Sequence, residues 1–165
     1  MATQNMILSG ETAARKLKRM ALEVCERNYA CDEIILLGIK DNGSLIANEM
    51  ANLMTETFVG KITVAELSIN KKHPGEVLLS GNLEINNKVI ILVDDVANSG
   101  RTMLYSLKPL LAHLPKKIQT LALVERTHKL FPIAVDYVGI SVSTTLEENI
   151  EVEIVGGKVA GAWLR

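Results

Sequence analysis

The stretch KVIILVDDVANSGRTM, residues 88–103, decides how the chain is read. Five apolar residues (89–93) run straight into two adjacent carboxylates, Asp94 and Asp95. A small polar loop follows: Ala97, Asn98, Ser99, Gly100, Arg101 and Thr102. A continuous apolar run of this length suits a strand buried on both faces, as in a parallel sheet. Ionised groups at the end of such a strand are costly unless paired or used. Successive strand residues point to opposite faces, so the two acids cannot both be spent on one core ion pair. The loop offers successive backbone N–H groups, a glycine that admits close approach, and the hydroxyls of Ser99 and Thr102. The positive end of a following helix points the same way, and together these predict an anion cradle suited to phosphate. Acids beside a phosphate suit the hydroxyls of a sugar, directly or through Mg²⁺. The alternative is a solvated acid pair that caps the next helix. The apolar strand before the acids and SGRT after them favour a site for a phosphorylated sugar. The loop is neither a Walker loop, since no lysine follows Gly100, nor the dinucleotide GxGxxG.

The same alternation extends outward. Ser9 can cap a first helix to about Asn28, with Leu17, Met20, Ala21 and Val24 at helical spacing. EIILLGI (33–39) reads as a buried strand and KDNGS (40–44) as a turn, with Ser44 capping a second helix. KITVAELSI (61–69) is the next strand, and residues 70–87, with Pro74, Gly75 and Gly81, a loop or loose hairpin. A third helix is expected from Met103 to Leu114, kinked or split by Pro109. IQTLALVER (118–126) is a further strand, and VDYVGISVS, EVEIV and KVAGAWL are short β-like pieces. Strand–helix alternation with short connections predicts a single α/β domain with a mostly parallel sheet. Ligands sit at the carboxyl edge of such sheets. The loops at 40–44, 70–82 and 94–102 and the segment after Arg126 all emerge there.

Composition narrows the classes of function. The chain has 165 residues, 48% of them apolar and only 4% aromatic, with a formal net charge of −1. That permits an aliphatic core and offers no global attraction for nucleic acid or anionic lipid. Cys25 and Cys31 form no metal-ligand pattern and read as reduced packing residues. No signal-peptide pattern and no apolar run of about 20 residues occurs. A cytoplasmic protein without membrane contact is expected.

VIILVDDVANSGRT resembles the phosphoribosyl pyrophosphate (PRPP) signature of type I phosphoribosyltransferases: an apolar run, two acids, and a loop ending in T/S-G-x-T. GIKDNGSLIANEMA resembles that family's pyrophosphate loop and its helix. The run carried by Arg126, His128, Pro132, Ile133, Asp136, Tyr137, Val138 and Gly139 is similar to the pyrimidine-operon attenuation regulator/uracil phosphoribosyltransferase group. The resemblance implies the type I phosphoribosyltransferase fold, a twisted parallel sheet flanked by helices. It implies a small hood from about 127–165 plus N-terminal residues, and a mobile lid at about 70–82. The implied reaction transfers ribose 5-phosphate from PRPP to a nucleobase and releases pyrophosphate, with Mg²⁺ as cofactor. Asp94 and Asp95 would serve the ribose hydroxyls and the Mg²⁺ shell. Ala97, Asn98, Ser99, Gly100, Arg101 and Thr102 would hold the 5-phosphate. Lys40, Asp41, Asn42 and Gly43 would hold pyrophosphate, where the family often has a cis peptide. Lys71, Lys72 and His73 are the charge candidates of the lid. A dimer or larger assembly is implied.

The chain departs from that family's pattern at several places. The attenuator/uracil group usually has T-R-G where this chain has Asp41-Asn42-Gly43, and Lys40 is the adjacent cation. The lid lacks the group's Arg-Asp pair. The 6-oxopurine enzymes carry Asp at the position of Asn98, which is a poor proton acceptor, so a pyrimidine such as uracil is favoured over hypoxanthine or guanine. The helix after the pyrophosphate loop has Glu49 and Glu56 and no cation, so RNA binding is possible but not favoured. A PRPP- or nucleotide-binding regulator with little catalysis is the alternative.

Overall fold

A computed structural model describes residues 5–145 and 147–165. The order is β1 (Asn5–Ser9), α1 (Gly10–Arg27), β2 (Glu33–Ile39), α2 (Asn42–Met54), β3 (Lys61–Ile69), β4 (Val77–Leu79), β5 (Val89–Ala97), α3 (Arg101–Ser106), β6 (Lys117–Arg126), β7 (Tyr137–Val142), β8 (Ile150–Val155) and β9 (Lys158–Leu164). Six strands form the main sheet in the order β4-β3-β2-β5-β6-β7, and β1-β9-β8 form a small antiparallel sheet. Within the main sheet only β4 is antiparallel to its neighbour. The α/β class and the mostly parallel sheet expected from the sequence are both present.

Strand β5 is central because it is apolar on both faces. Val89, Ile91 and Val93 pack in one core with α1 and α2, while Ile90 and Leu92 pack in a second core on the opposite face with Met103 and Leu110. Alternation along one strand thus holds both layers to the sheet. Helix α1 starts where expected. Ser9 Oγ accepts from the Thr12 N–H at 3.2 Å, and Leu17, Met20, Ala21 and Val24 are buried.

Four local expectations change. Ser44 does not cap α2. The helix begins two residues earlier, and the Ser44 hydroxyl donates to Glu66 Oε2 at 2.8 Å. Gly43 is what allows this, since a Cβ there would lie 2.6 Å from the Val93 carbonyl oxygen. The third helix ends at Ser106, short of the expected 103–114, because Pro109 lies one turn ahead. Leu111 and Leu114 are exposed rather than part of its stripe. Strand β1 was not anticipated; it exists because β9 pairs with it, Asn5 opposite Leu164. Finally, β7 lies in the main sheet, where buried Tyr137 donates its hydroxyl to Gln119 Oε1 at 2.8 Å. The small sheet therefore draws on β1, β8 and β9, a narrower set than the hood expected from about 127 onward. Residues 1–4 of that expectation lie outside the described residues.

Loops 70–76 and 80–88 flank the short β4, so the irregular segment is a loose hairpin on β3. Cys25 is buried, Cys31 half-buried, and both are free. Among the described residues no helix is long and apolar enough to cross a membrane.

Candidate active site

The carboxyl end of β5 places the two acids. Asp94 is 1% exposed, and its Oδ1 accepts from the Asp95 N–H at 2.9 Å. Lys71 Nζ, from the loop after β3, approaches the same oxygen at 3.6 Å. Burial pushes the Asp94 carboxyl up to about 8, and the charge of Asp95 adds to this while Lys71 partly offsets it. Asp95 is half-buried. Its Oδ1 accepts from the Val96 N–H and its Oδ2 from Asn42 Nδ2, both at 2.8 Å. The acids thus have separate surroundings: Asp94 faces the lid cation, and Asp95 faces the loop before α2.

Residues 97–102 continue from the strand. Gly100 has φ +86°, and a Cβ there would meet Ile133 Cγ2 at 2.4 Å, so this turn requires glycine. The Ser99 carbonyl accepts from the N–H groups of Leu130 and Phe131 at 3.0 and 3.1 Å, which pins the loop to the segment after β6. Arg101 Nη2 donates to the Lys71 carbonyl at 2.9 Å and joins the loop to the lid. With α3 only six residues long, the helix dipole has less to offer than expected. The cradle rests on backbone N–H groups and hydroxyls. A cavity of about 190 Å³ is bounded by Lys71, both acids, the whole 97–102 loop and Ile150 of the small sheet.

A second, wider cleft of about 530 Å³ lies alongside it, lined by Lys40, Asp41, Asn70, Lys71 and Glu76. Lys71 borders both. Among the described residues there is no cis peptide; the unusual backbone is at Asp41, φ +76° and ψ −116°. This differs from the cis bond that the resemblance implied. Asn42 does not extend into the wider cleft. Its Nδ2 bridges Asp95 Oδ2 at 2.8 Å and the Val152 carbonyl of β8 at 3.0 Å. Of the lid candidates, Lys71 alone is paired with an acid. The N–H groups of Lys72 and His73 donate to Asn70 Oδ1 at 3.0 and 3.2 Å, and both side chains are exposed.

Arg126, quoted in the sequence only as part of a run, proves to be a buried tie. Its Nε donates to Asn98 Oδ1 at 3.3 Å, and its Nη atoms reach the segment before β8. A cation that ends an apolar strand was the available signal. No group of three or more metal-ligating side chains occurs among the described residues. Two carboxylates beside an anion cradle suit an octahedral ion that arrives with substrate phosphates, rather than a closed protein cage.

A sheet that delivers two acids, a glycine-dependent anion loop and a lid cation to one cavity defines a phosphoribosyltransferase. Residues 3–155 match the phosphoribosyl transferase domain, and the chain belongs to that family. It is 35% identical, over 93% of its length and 92% of the relative's, to the bifunctional protein PyrR of Bacillus mycoides. Among solved structures, a hypoxanthine-guanine phosphoribosyltransferase from Bacillus anthracis superposes with TM-score 0.69 at 22% identity, covering 84% of this chain and 82% of that one. The hypoxanthine phosphoribosyltransferase of Trypanosoma cruzi superposes with TM-score 0.76 at 12% identity, covering 88% and 84%. At these identities the two structures show the fold alone.

Proposed function

We propose that the protein transfers ribose 5-phosphate from PRPP to a nucleobase, with uracil or another pyrimidine favoured, and releases pyrophosphate. The observation that supports this most is the single cavity in which Asp94, Asp95, Lys71 and residues 97–102 meet. The backbone N–H groups of Ala97, Asn98, Ser99, Gly100, Arg101 and Thr102, with the Ser99 and Thr102 hydroxyls, hold the 5-phosphate. Asp94 and Asp95 accept the ribose hydroxyls and fix the sugar as positive charge develops at the anomeric carbon. Lys40 and Lys71 meet the leaving pyrophosphate in the adjoining cleft, with Asp41, Asn42 and Gly43 shaping its wall. Lys71, Lys72 and His73 belong to a lid that excludes water. Mg²⁺ fits the acid pair, directly or through the ribose hydroxyls or water; when bound, it neutralises pyrophosphate charge. The pyrimidine preference is supported by the Arg126–Gly139 run and by the likeness to proteins named PyrR.

The small sheet is the hood over the base. We place the protein in the cytoplasm and expect a homodimer or larger. A regulator that binds PRPP or a nucleotide with little turnover is the second reading, supported by Asn42, which stands where the group has arginine and is engaged by Asp95 and Val152. RNA is a less favoured partner, since α2 lacks basic residues. A 6-oxopurine acceptor is less supported, because Asn98 replaces the acid of those enzymes. Incubation with PRPP, Mg²⁺ and uracil, hypoxanthine, guanine, xanthine or adenine tests the proposal. Pyrophosphate release, highest with uracil, is expected; release with none of the bases overturns transfer. Calorimetry with PRPP and UMP separates the regulator, which binds without turnover.

A further inference from the structure

Arg126 ends β6 and is 7% exposed, yet none of the ion pairs among the described residues includes it. Neutral acceptors hold its guanidinium instead. They are Thr144 Oγ1, the carbonyls of Thr145 and Glu148 at 2.7 Å each, and Asn98 Oδ1 at 3.3 Å from Nε. A buried cation tolerates this only when its donors are all directed at acceptors. The fork is therefore rigid, and it holds the segment leading into β8 against the 97–102 loop.

This arrangement determines which way the Asn98 amide faces. A guanidinium has donors only. The Asn98 atom that meets it must be the oxygen, because the turned amide would set N–H against N–H. The Asn98 amide nitrogen then points away from Arg126. Asn98 borders the cavity beside Asp94 and Asp95, its side chain is exposed, and the bond from Arg126 is its only side-chain hydrogen bond among the described residues. Two N–H donors are thus presented at the ribose end of the site, where a base would stand.

We propose that Asn98 is a specificity-determining residue that donates Nδ2–H to an acceptor atom on the incoming base, and that Arg126 is its positioning residue. This rests on the cavity being a PRPP site. The ligand class is a base with a carbonyl oxygen or an unprotonated ring nitrogen on the edge facing the loop. A base with N–H at that edge meets donor against donor and is disfavoured. The side chain of Asn98 then serves the base, while its backbone N–H remains in the phosphate cradle.

Three variants test the assignment: Asn98→Leu, which keeps size and loses the amide; Asn98→Asp, which pairs with Arg126 and offers only acceptors; and Arg126→Lys, which keeps charge and loses the fork. Each is titrated with PRPP plus Mg²⁺ and with UMP and IMP, and assayed with uracil and hypoxanthine. PRPP affinity is expected to stay within about twofold in all three, since the cradle is backbone. Asn98→Leu is expected to lose about 10- to 100-fold in UMP affinity, and in kcat/KM through the KM for base, the cost of one hydrogen bond to a buried acceptor. Asn98→Asp should lose as much toward UMP and shift the UMP-to-IMP preference toward the base that offers N–H. Arg126→Lys should reproduce part of the Asn98→Leu loss. Unchanged UMP affinity in Asn98→Leu, or losses that fall equally on PRPP and every nucleotide, overturns the role of Asn98. A wild type that binds PRPP but neither nucleotide and uses no base also overturns it. If the wild type binds no PRPP, the reading of the cavity itself fails.

Discussion

Replacing Asp94 with asparagine is expected to stabilise the ligand-free fold and to abolish use of PRPP. The stabilisation can be worked from the site. Asp94 is 1% exposed, and its carboxyl is pushed from an ordinary 3.8 to about 8, first by burial and second by the charge of Asp95. Lys71, at 3.6 Å and half exposed, offsets only part of this. Between about pH 4 and 8 the folded protein therefore holds a proton that the unfolded chain has released. The sign follows: an acid raised in the folded state adds stability at low pH and loses it as pH climbs toward 8. A shift of about four pH units at 1.36 kcal/mol each amounts to roughly 6 kcal/mol, of which about 4 has been lost by pH 7. Asparagine keeps the shape and the oxygen that accepts from the Asp95 N–H, and it has no charge to bury.

Urea unfolding without metal or ligand measures the difference, because titrations elsewhere cancel between wild type and variant. The advantage of Asp94→Asn should grow by about 1.4 kcal/mol per pH unit, nearly 3 kcal/mol between about pH 5.5 and 7.5, and flatten above about 8.5. A difference independent of pH, or a variant less stable throughout, would refute the burial argument and mean that Lys71 neutralises Asp94 in full. Stability retained at the cost of a ligand site is the usual trade at such positions.

The other expectations concern single contacts. Asp95→Asn should leave the fold intact and weaken PRPP binding about tenfold or more, one charged hydrogen bond to a ribose hydroxyl; unchanged affinity by calorimetry would remove the assignment. Lys71→Met deletes the cation shared by both cavities, so pyrophosphate and PRPP affinity should fall together about tenfold at low salt, with a smaller difference at high salt; a salt-independent effect would point to packing instead. Gly100→Ala forces a side chain into a left-handed turn and against Ile133. It should cost about 1–3 kcal/mol in urea and weaken PRPP binding as the cradle shifts; a variant as stable as wild type would show that the turn relaxes.

Much of the fold was legible because it is local. Residues 89–93 are apolar at every position, which only a two-faced strand explains, and Ser9 with the Leu17, Met20 and Val24 stripe marks α1 without reference to anything distant. The acids and the 97–102 loop were legible for the same reason, as one uninterrupted segment. Features set by remote partners were not. Strand β1 depends on β9 at the other end of the chain, and β7 joins the main sheet through pairing with β6. Helix α2 starts at Asn42 because Gly43 can approach Val93, a contact that no spacing within 40–44 expresses.

Asn42 is the sharpest instance, and it alters how the departure from T-R-G is understood. In the sequence, Asp41-Asn42-Gly43 looks like a cation lost from a pyrophosphate site. In the structure the amide joins three segments, the loop before α2, the acid end of β5 and the Val152 carbonyl of the small sheet. An arginine there would bring charge for pyrophosphate but could not give this compact bridge with one nitrogen. The compensation then falls on Lys40 and Lys71, and Lys71 is also the cation beside Asp94. If pyrophosphate draws Lys71 toward the wider cleft, Asp94 loses the one charge that lowers its proton affinity. Departure of pyrophosphate and the protonation of Asp94 are thereby linked through one lysine, a coupling that arginine at position 42 would relieve.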